Sequence, residues 1–113
     1  YAAGELKHGT ISLIEDGTLV VALATQPELY EKTVSNIREV TSRGAEVILI
    51  AGSDFSGDES ALPYIVVRLP ECPALFSASL SIVPLQLLAY YVAVERSCDV
   101  DKPRNLAKSV TVE

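Results

Sequence analysis

Several residue types are scarce or missing from this chain. Its 113 residues include no methionine, no tryptophan, one histidine and two cysteines. A chain without methionine does not begin at a natural start, so we expect a piece from the C-terminal end of a longer protein. Cys72 and Cys98 lack the spacing of metal ligands. Two thiols without a secretory signal indicate reduced, buried cysteines of a cytosolic protein.

An excess of positive charge and long apolar runs are also missing. The formal net charge of −6 argues against non-specific binding to nucleic acids or anionic membranes. No apolar run reaches the ~18 residues that a membrane-spanning helix needs. The longest candidate, Ile82 to Val94, is interrupted by Pro84 and Gln86. We therefore expect neither a nucleic-acid partner nor a membrane partner.

Three short apolar runs predict strands of an α/β protein. Residues 19–24, 46–50 and 65–69 are continuous and rich in β-branched residues, which is typical of strands buried on both faces of a parallel sheet. The dozen residues between the last two runs suit either a hairpin or a crossover, so the direction of the third strand stays open. Three strands make a small sheet, and we expect upstream sequence to supply the missing strands and to cover the open edge.

Helical patterns occur before, between and after these runs. Tyr1 to Ile14 predicts a short helix. Residues 27–43 have Leu29, Ile37 and Val40 on one face and end at Arg43-Gly44, so they predict a helix that covers the sheet. Farther along, we expect a helical turn at residues 74–78 and then a main helix over residues 82–97, with Pro84 as the kink or the start of its second part.

The C-terminal stretch from Asp99 is polar and has no amphipathic period. Pro103 keeps the residue before it out of a helix, so the upstream helix has ended by this point. A tail without a core face either frays or is held by its side chains. The organisation predicted is a body over residues 1–98 and a tail over residues 99–113.

The polar link after the second strand is the one stretch that resembles a metal loop. Asp54, Ser56, Asp58 and Ser60 alternate as calcium ligands do. The glycine does not fall at the sixth position of the loop, and Ile65 stands where the closing glutamate belongs. We therefore expect a solvated connection and no metal site.

Three side chains could carry chemistry. His8 is the only one whose ordinary pKa lies near neutrality. Lys108 could attack a carbonyl if its surroundings lowered the pKa of its amine. Glu5 lies three residues before His8, which places both on one helix face. From the residues alone, each of the three could equally be a solvated surface group.

Three blocks of the sequence resemble the glucosamine-6-phosphate synthase family. They are Ala2 to Gly9, Val83 to Tyr90 and Arg104 to Glu113, and they stand in the family's order. The resemblance covers essentially the whole chain, and its most specific block is the C-terminal decapeptide. It implies an incomplete three-layer sugar-isomerase (SIS) domain, in which a flavodoxin-like parallel sheet is flanked by helices, followed by an active-site tail.

The resemblance also implies an activity and its partners. The complete enzyme would be a cytoplasmic aminotransferase of amino-sugar biosynthesis that uses fructose 6-phosphate and ammonia from glutamine to form glucosamine 6-phosphate. It would need no metal or organic cofactor. Upstream glutaminase and SIS domains would belong to the same polypeptide, and two copies would form a homodimer. The fragment alone would be inactive, because the phosphate loop and the proton-shuttling glutamate of the family lie upstream.

Roles for individual residues follow from the same resemblance. Lys108 would form a Schiff base with the open-chain sugar, and His8 would open the sugar ring in the active site of the neighbouring subunit. The backbone of Ala107 would line the sugar. The supporting residues would be Glu5 as a structural partner and Arg104 with Asn105 as anchors of the tail. The chemistry of the amine adds Lys7 and Arg104 as candidate cations, although nothing in the sequence shows that either lies close to Lys108. The rival interpretation is a non-catalytic SIS module that binds a sugar phosphate for regulation; such a module has no use for Lys108.

Overall fold

The computed structural model describes residues 1–57 and 64–102. Within them lie three strands, β1 (Leu19–Ala24), β2 (Glu46–Ala51) and β3 (Tyr64–Arg68), and two α-helices, α1 (Tyr30–Thr41) and α2 (Ser77–Glu95). Short 3-10 helices occupy Ala3–His8, Thr10–Leu13, Pro27–Leu29 and Ala74–Phe76. The chain divides into two compact units, Tyr1–Ser81 and Ile82–Glu113.

The three strands form one parallel sheet in the order β1-β2-β3. Leu19 pairs with Glu46 at the start of β1, and Val47 pairs with Tyr64 at the start of β3. The predicted strands are confirmed to within one residue. The parallel direction of β3, which the residues alone left open, is the direction that the family resemblance implied.

One face of the sheet and α1 enclose the core. Val47 and Leu49 of β2 join Ile37 and Val40 of α1 in a single buried cluster. Leu49 has no exposed surface, and Val40 retains 1%. Each such aliphatic side chain contributes roughly 1.5–3 kcal/mol on burial. The predicted helix over residues 27–43 is confirmed, with its first turn, which Pro27 opens, in 3-10 geometry.

The opposite face of the sheet is buried only at its centre. Ile50 of β2 is 2% exposed, whereas Leu19 and Leu23 of β1 are 52% and 46% exposed and Ile65 of β3 is 67% exposed. Within this chain, burial on both faces is therefore seen for β2 and not for β1, and the exposure agrees with the expectation that three strands are too few to be covered without upstream sequence. The reason is topological, because β1 and β3 are the edge strands of this sheet.

Helix α2 begins earlier than predicted. The expected main helix from residue 82 is wrong in its start, since the helix runs without interruption from Ser77 and contains Pro84. Proline removes one backbone donor, and the leucine and alanine around it are strong helix formers, so a 19-residue helix tolerates the loss. The packing of this helix against the sheet stays a prediction.

A backbone motif ends α2 before the polar tail begins. Ser97 has a positive φ of 56°. The amide of Cys98 donates to the Ala93 carbonyl at 2.8 Å, and the amide of Ser97 donates to the Val94 carbonyl at 2.8 Å. These are the two hydrogen bonds of a Schellman motif. Cys98 follows the turn and is exposed while Cys72 is half-buried, so the expectation that both thiols are buried is wrong.

The length of the helical stretch also revises an expectation about membranes. Ala74–Glu95 is continuous over 22 residues and apolar enough to cross a membrane by length and composition alone. The expected interruption of the apolar run is therefore wrong. A single helix of this kind is weak evidence for a membrane span, because core helices of soluble proteins meet the same criterion.

The turn after α1 depends on Gly44. Its φ is 87°, and an added Cβ would lie 2.8 Å from the Cα of Asp16. Replacing Gly44 with alanine should lower the free energy of unfolding by about 1–3 kcal/mol, because the variant combines a left-handed conformation with a backbone contact. Urea unfolding measures the change. Gly4→Ala is the control, since nothing lies within 4 Å of its added Cβ; equal effects of both substitutions would contradict this account.

Candidate functional site

The segment that carries His8 is a pair of 3-10 helices. Gly9 separates Ala3–His8 from Thr10–Leu13. The predicted short helix is confirmed in place but is not an α-helix, because its amides bond three residues back. The amide of Glu5 donates to the Ala2 carbonyl at 2.9 Å, and the amide of Gly9 donates to the Leu6 carbonyl at 3.5 Å. A 3-10 helix suits this short segment, which contains Gly4 and ends at Gly9.

His8 lies at the end of the first 3-10 helix and is exposed. Side chains three residues apart eclipse one another in this geometry, so Glu5 and His8 share one side of the segment, as predicted. Across the described ranges no hydrogen bond or ion pair joins the two side chains. His8 is exposed and makes no side-chain hydrogen bond or ion pair with any other residue that the structure describes.

The residues before His8 hold the segment against the body. Leu6 packs against the core cluster. The Nζ atom of Lys7 lies 2.8 Å from Oε2 of Glu39 on α1. Lys7 was a candidate cation near the catalytic amine, and the described contact is instead with a carboxylate. This ion pair was not among the predictions from sequence.

The remaining predicted site residues belong to the tail. Arg104, Asn105, Ala107 and Lys108 lie outside the described residues. Their roles, and the boundary between residues 98 and 99, stay predictions. In the described ranges no three side chains of histidine, cysteine, aspartate or glutamate are grouped so as to hold a metal ion.

A crevice of about 560 Å³ opens at the carboxyl ends of the three strands. Thr25 follows β1, Gly52 to Asp54 follow β2, and Leu69 to Cys72 follow β3. Ligands of open α/β sheets bind at this edge. Its described lining includes two carboxylates, Asp54 and Glu71, but no lysine, arginine or histidine. Such a lining disfavours a phosphate group.

A hydrogen bond fixes one wall of the crevice. The Oη atom of Tyr30 donates to Oδ1 of Asp54 at 2.7 Å. An added Cβ on Gly52 would lie 2.7 Å from the same Oη atom, so a side chain at this position would displace the Tyr30 hydroxyl. Asp54 thus has a structural partner on α1. The calcium-like alternation was the only sequence signal at this position, and it indicated nothing about Tyr30.

Comparison with known proteins gives one family. The model of the SIS domain matches residues 1–96. Relatives named glutamine--fructose-6-phosphate aminotransferase [isomerizing] from Clostridium acetobutylicum and Clostridium tetani are 61% and 58% identical over 113 residues. The match covers 100% of this chain and 18% of each relative. The chain therefore spans less than a fifth of their length.

A solved structure gives the same result for the fold. It is the C-terminal domain of glucosamine-fructose-6-phosphate aminotransferase from Francisella tularensis, which is 35% identical to this chain. The TM-score is 0.77, and the match covers 88% of this chain and 28% of that one. The predicted α/β fold of the SIS type is thereby confirmed.

The Tyr30–Asp54 contact predicts a late tyrosine titration. Burial and the hydrogen bond to Asp54 raise the pKa of Tyr30 from 10.0 to about 12. Because the protonated phenol is favoured in the folded state, its contribution to stability is present below pH 10.0 and is lost as the pH rises through 12. Absorbance of tyrosinate should show a step near pH 12 that Tyr30→Phe removes and Asp54→Asn moves to lower pH. An identical titration of all three proteins would contradict this.

Proposed function

Because the chain belongs to the SIS domain family, we propose that it is the C-terminal part of an isomerase domain that forms glucosamine 6-phosphate. The complete enzyme takes ammonia from glutamine and joins its nitrogen to fructose 6-phosphate. The observation that carries this proposal is the extent of the similarity, since the identity of 58–61% to the two clostridial relatives runs over all 113 residues. The C-terminal decapeptide lies inside that match.

Lys108 is the covalent residue of the proposal. Its neutral amine adds to the ketone at carbon two of the open-chain sugar, and loss of one water leaves an imine. Ammonia then adds to the same carbon and the lysine amine leaves, so the nitrogen that stays on the sugar is the one from glutamine. Attack requires the deprotonated amine, so the site must lower the pKa of Lys108 by excluding water or by a nearby cation. The backbone of Ala107 lines the sugar, and Arg104 with Asn105 holds the tail in place.

His8 is the residue that opens the ring. Ring opening moves a proton from the anomeric hydroxyl to the ring oxygen, and an imidazole can remove and return that proton near neutral pH. The exposure of His8 at the end of its 3-10 helix supports this role, because the side chain is available to a sugar bound outside this chain. The sugar belongs to the active site of the neighbouring subunit of a homodimer.

The rest of the machinery lies upstream in the same polypeptide. An SIS segment supplies the phosphate loop and the carboxylate that moves a proton between carbons one and two, and a glutaminase domain supplies ammonia. Glu5 therefore has a structural role. The enzyme acts in the cytoplasm without a metal or organic cofactor.

The rival function is a regulatory SIS module that binds a sugar phosphate without chemistry. The described crevice at the carboxyl ends of the strands does not separate the two functions, because in both of them the phosphate loop lies upstream of this chain. The tail argues against the rival, since a binding module has no need of a nucleophilic lysine. Catalysis by the complete enzyme is the better-supported function.

Replacement of Lys108 by arginine tests the covalent step. In a full-length synthase that carries this chain, Lys108→Arg should lower the rate of glucosamine 6-phosphate synthesis at least about a thousandfold. The reason is that the guanidinium stays protonated and cannot form the imine. Glutamine hydrolysis should survive. Lys102→Arg is the matched control, since it makes the same change in the same polar stretch and should leave synthesis intact.

Chemical trapping completes this test. Borohydride reduction in the presence of fructose 6-phosphate should attach the sugar to the C-terminal peptide at Lys108, as seen by mass spectrometry. An active arginine variant, together with a wild-type enzyme that never gains an adduct, would rule out the covalent role.

A further inference from the structure

The ion pair between Lys7 and Glu39 gives a role to a residue outside the proposed chemistry. We propose that Glu39 is a positioning residue, which holds Lys7 and so fixes the backbone that presents His8. This inference rests on the proposed function of His8 in ring opening. It also assigns Lys7, which was considered as a possible cation near Lys108, to the support of the histidine segment.

In the 3-10 helix Ala3–His8, the side chains of Leu6, Lys7 and His8 point in three different directions. Three consecutive residues of a 3-10 helix project about 120° apart, because the helix has three residues per turn. Leu6 packs against the core cluster, and Lys7 contacts Glu39 at 2.8 Å. The side chains of Leu6 and Lys7 thus both contact the rest of the domain. The His8 side chain points in the third direction and is exposed.

Glu39 is itself held on both oxygens. Its Oε2 atom contacts Lys7, and its Oε1 atom lies 3.8 Å from the guanidinium of Arg43. Arg43 also donates a hydrogen bond to the Glu39 carbonyl at 2.9 Å. The side chain of Glu39 is 28% exposed, and its position on α1 falls between the buried residues Ile37 and Val40. The carboxylate therefore offers Lys7 a fixed partner on a rigid element.

The contact separates two roles for Lys7. A catalytic cation must direct its charge to the Lys108 amine, whereas an ammonium in contact with a carboxylate has much of its field cancelled. A positioning lysine needs only its partner. Exposed ion pairs add little to global stability, so loss of the pair should appear in the placement of His8 and hardly in folding.

The test uses steady-state kinetics of the full-length synthase that carries this chain. Glu39→Gln should lower kcat with fructose 6-phosphate about three- to tenfold, with KM little changed, because a catalytic group is misplaced while substrate binding is intact. Lys7→Met should have the same effect, and the double variant should be no worse than either. The exchange Lys7→Glu/Glu39→Lys should restore most of the rate. Glu31→Gln is the matched control, since it makes the same change on the same helix at an exposed position that forms no ion pair within the described residues, and it should leave kcat unchanged.

A substrate that cannot close its ring supplies the decisive readout. The analogue of fructose 6-phosphate that lacks the hydroxyl on carbon five stays open, so it needs no ring opening. The defect of Glu39→Gln should disappear with this analogue, whereas a general structural defect would persist. His8→Ala, measured beside it, should show the same pattern with a larger loss on the cyclic sugar.

Three results would overturn the inference, and they are distinguishable. If His8→Ala fails only on the cyclic sugar while Glu39→Gln matches the wild type on both sugars, then the ring-opening role stands and the positioning role falls. If His8→Ala matches the wild type on both sugars, the ring-opening role falls and the positioning role falls with it. A third pattern, in which Lys7→Met damages both sugars and the charge exchange fails to rescue, identifies Lys7 as a catalytic cation and also overturns the inference.

Discussion

The burial of β2 between two parallel neighbours is the constraint on which the rest of the described structure depends. Hydrogen bonds to β1 and β3 satisfy its backbone on both sides, and its side chains alternate between the two faces of the sheet. The Val47 and Leu49 side chains then require a cover, which α1 provides through Ile37 and Val40. With α1 in place, the segment that carries His8 contacts the body in two ways. Leu6 packs against the core cluster, and Lys7 forms an ion pair with Glu39.

The strands and α1 could be predicted because each has one dominant local signal. Continuous β-branched runs are too short for helices, and the apolar period of α1 ends at an arginine and a glycine. The exposure of β1 and β3 could be predicted only in outline, from the small number of strands, because an apolar run indicates that a strand is suited to burial and not which of its faces this chain covers. The edge strands in this sheet have neighbours on one side only. At α2 the local rule for Pro84 competed with strong helix formers on both sides, and the helix formers prevailed.

The candidate site, too, could be predicted from the sequence only in part. His8 could be found from its chemistry alone, and its role came only from the family resemblance. The pair of Lys7 and Glu39 could not be found, because the two residues are far apart in sequence and no periodicity links a 3-10 helix to the helix that follows the first strand. The hydrogen bond from Tyr30 to Asp54 was missed for the same reason. The Schellman motif at Ser97 was missed because serine at this position carries no glycine signal.

The central claim is that His8 and Lys108 act on the same sugar from different subunits of a dimer. Mixed dimers of the full-length synthase that carries this chain test it directly. One subunit has His8→Ala and the other has Lys108→Ala, and the heterodimer is purified through two different tags. If His8 serves the partner's site, one active site carries both substitutions and the other carries neither. The heterodimer should then retain about half of the wild-type activity, while each mutant homodimer is inactive. If His8 serves its own subunit, each site carries one lesion, and an inactive heterodimer would contradict the account.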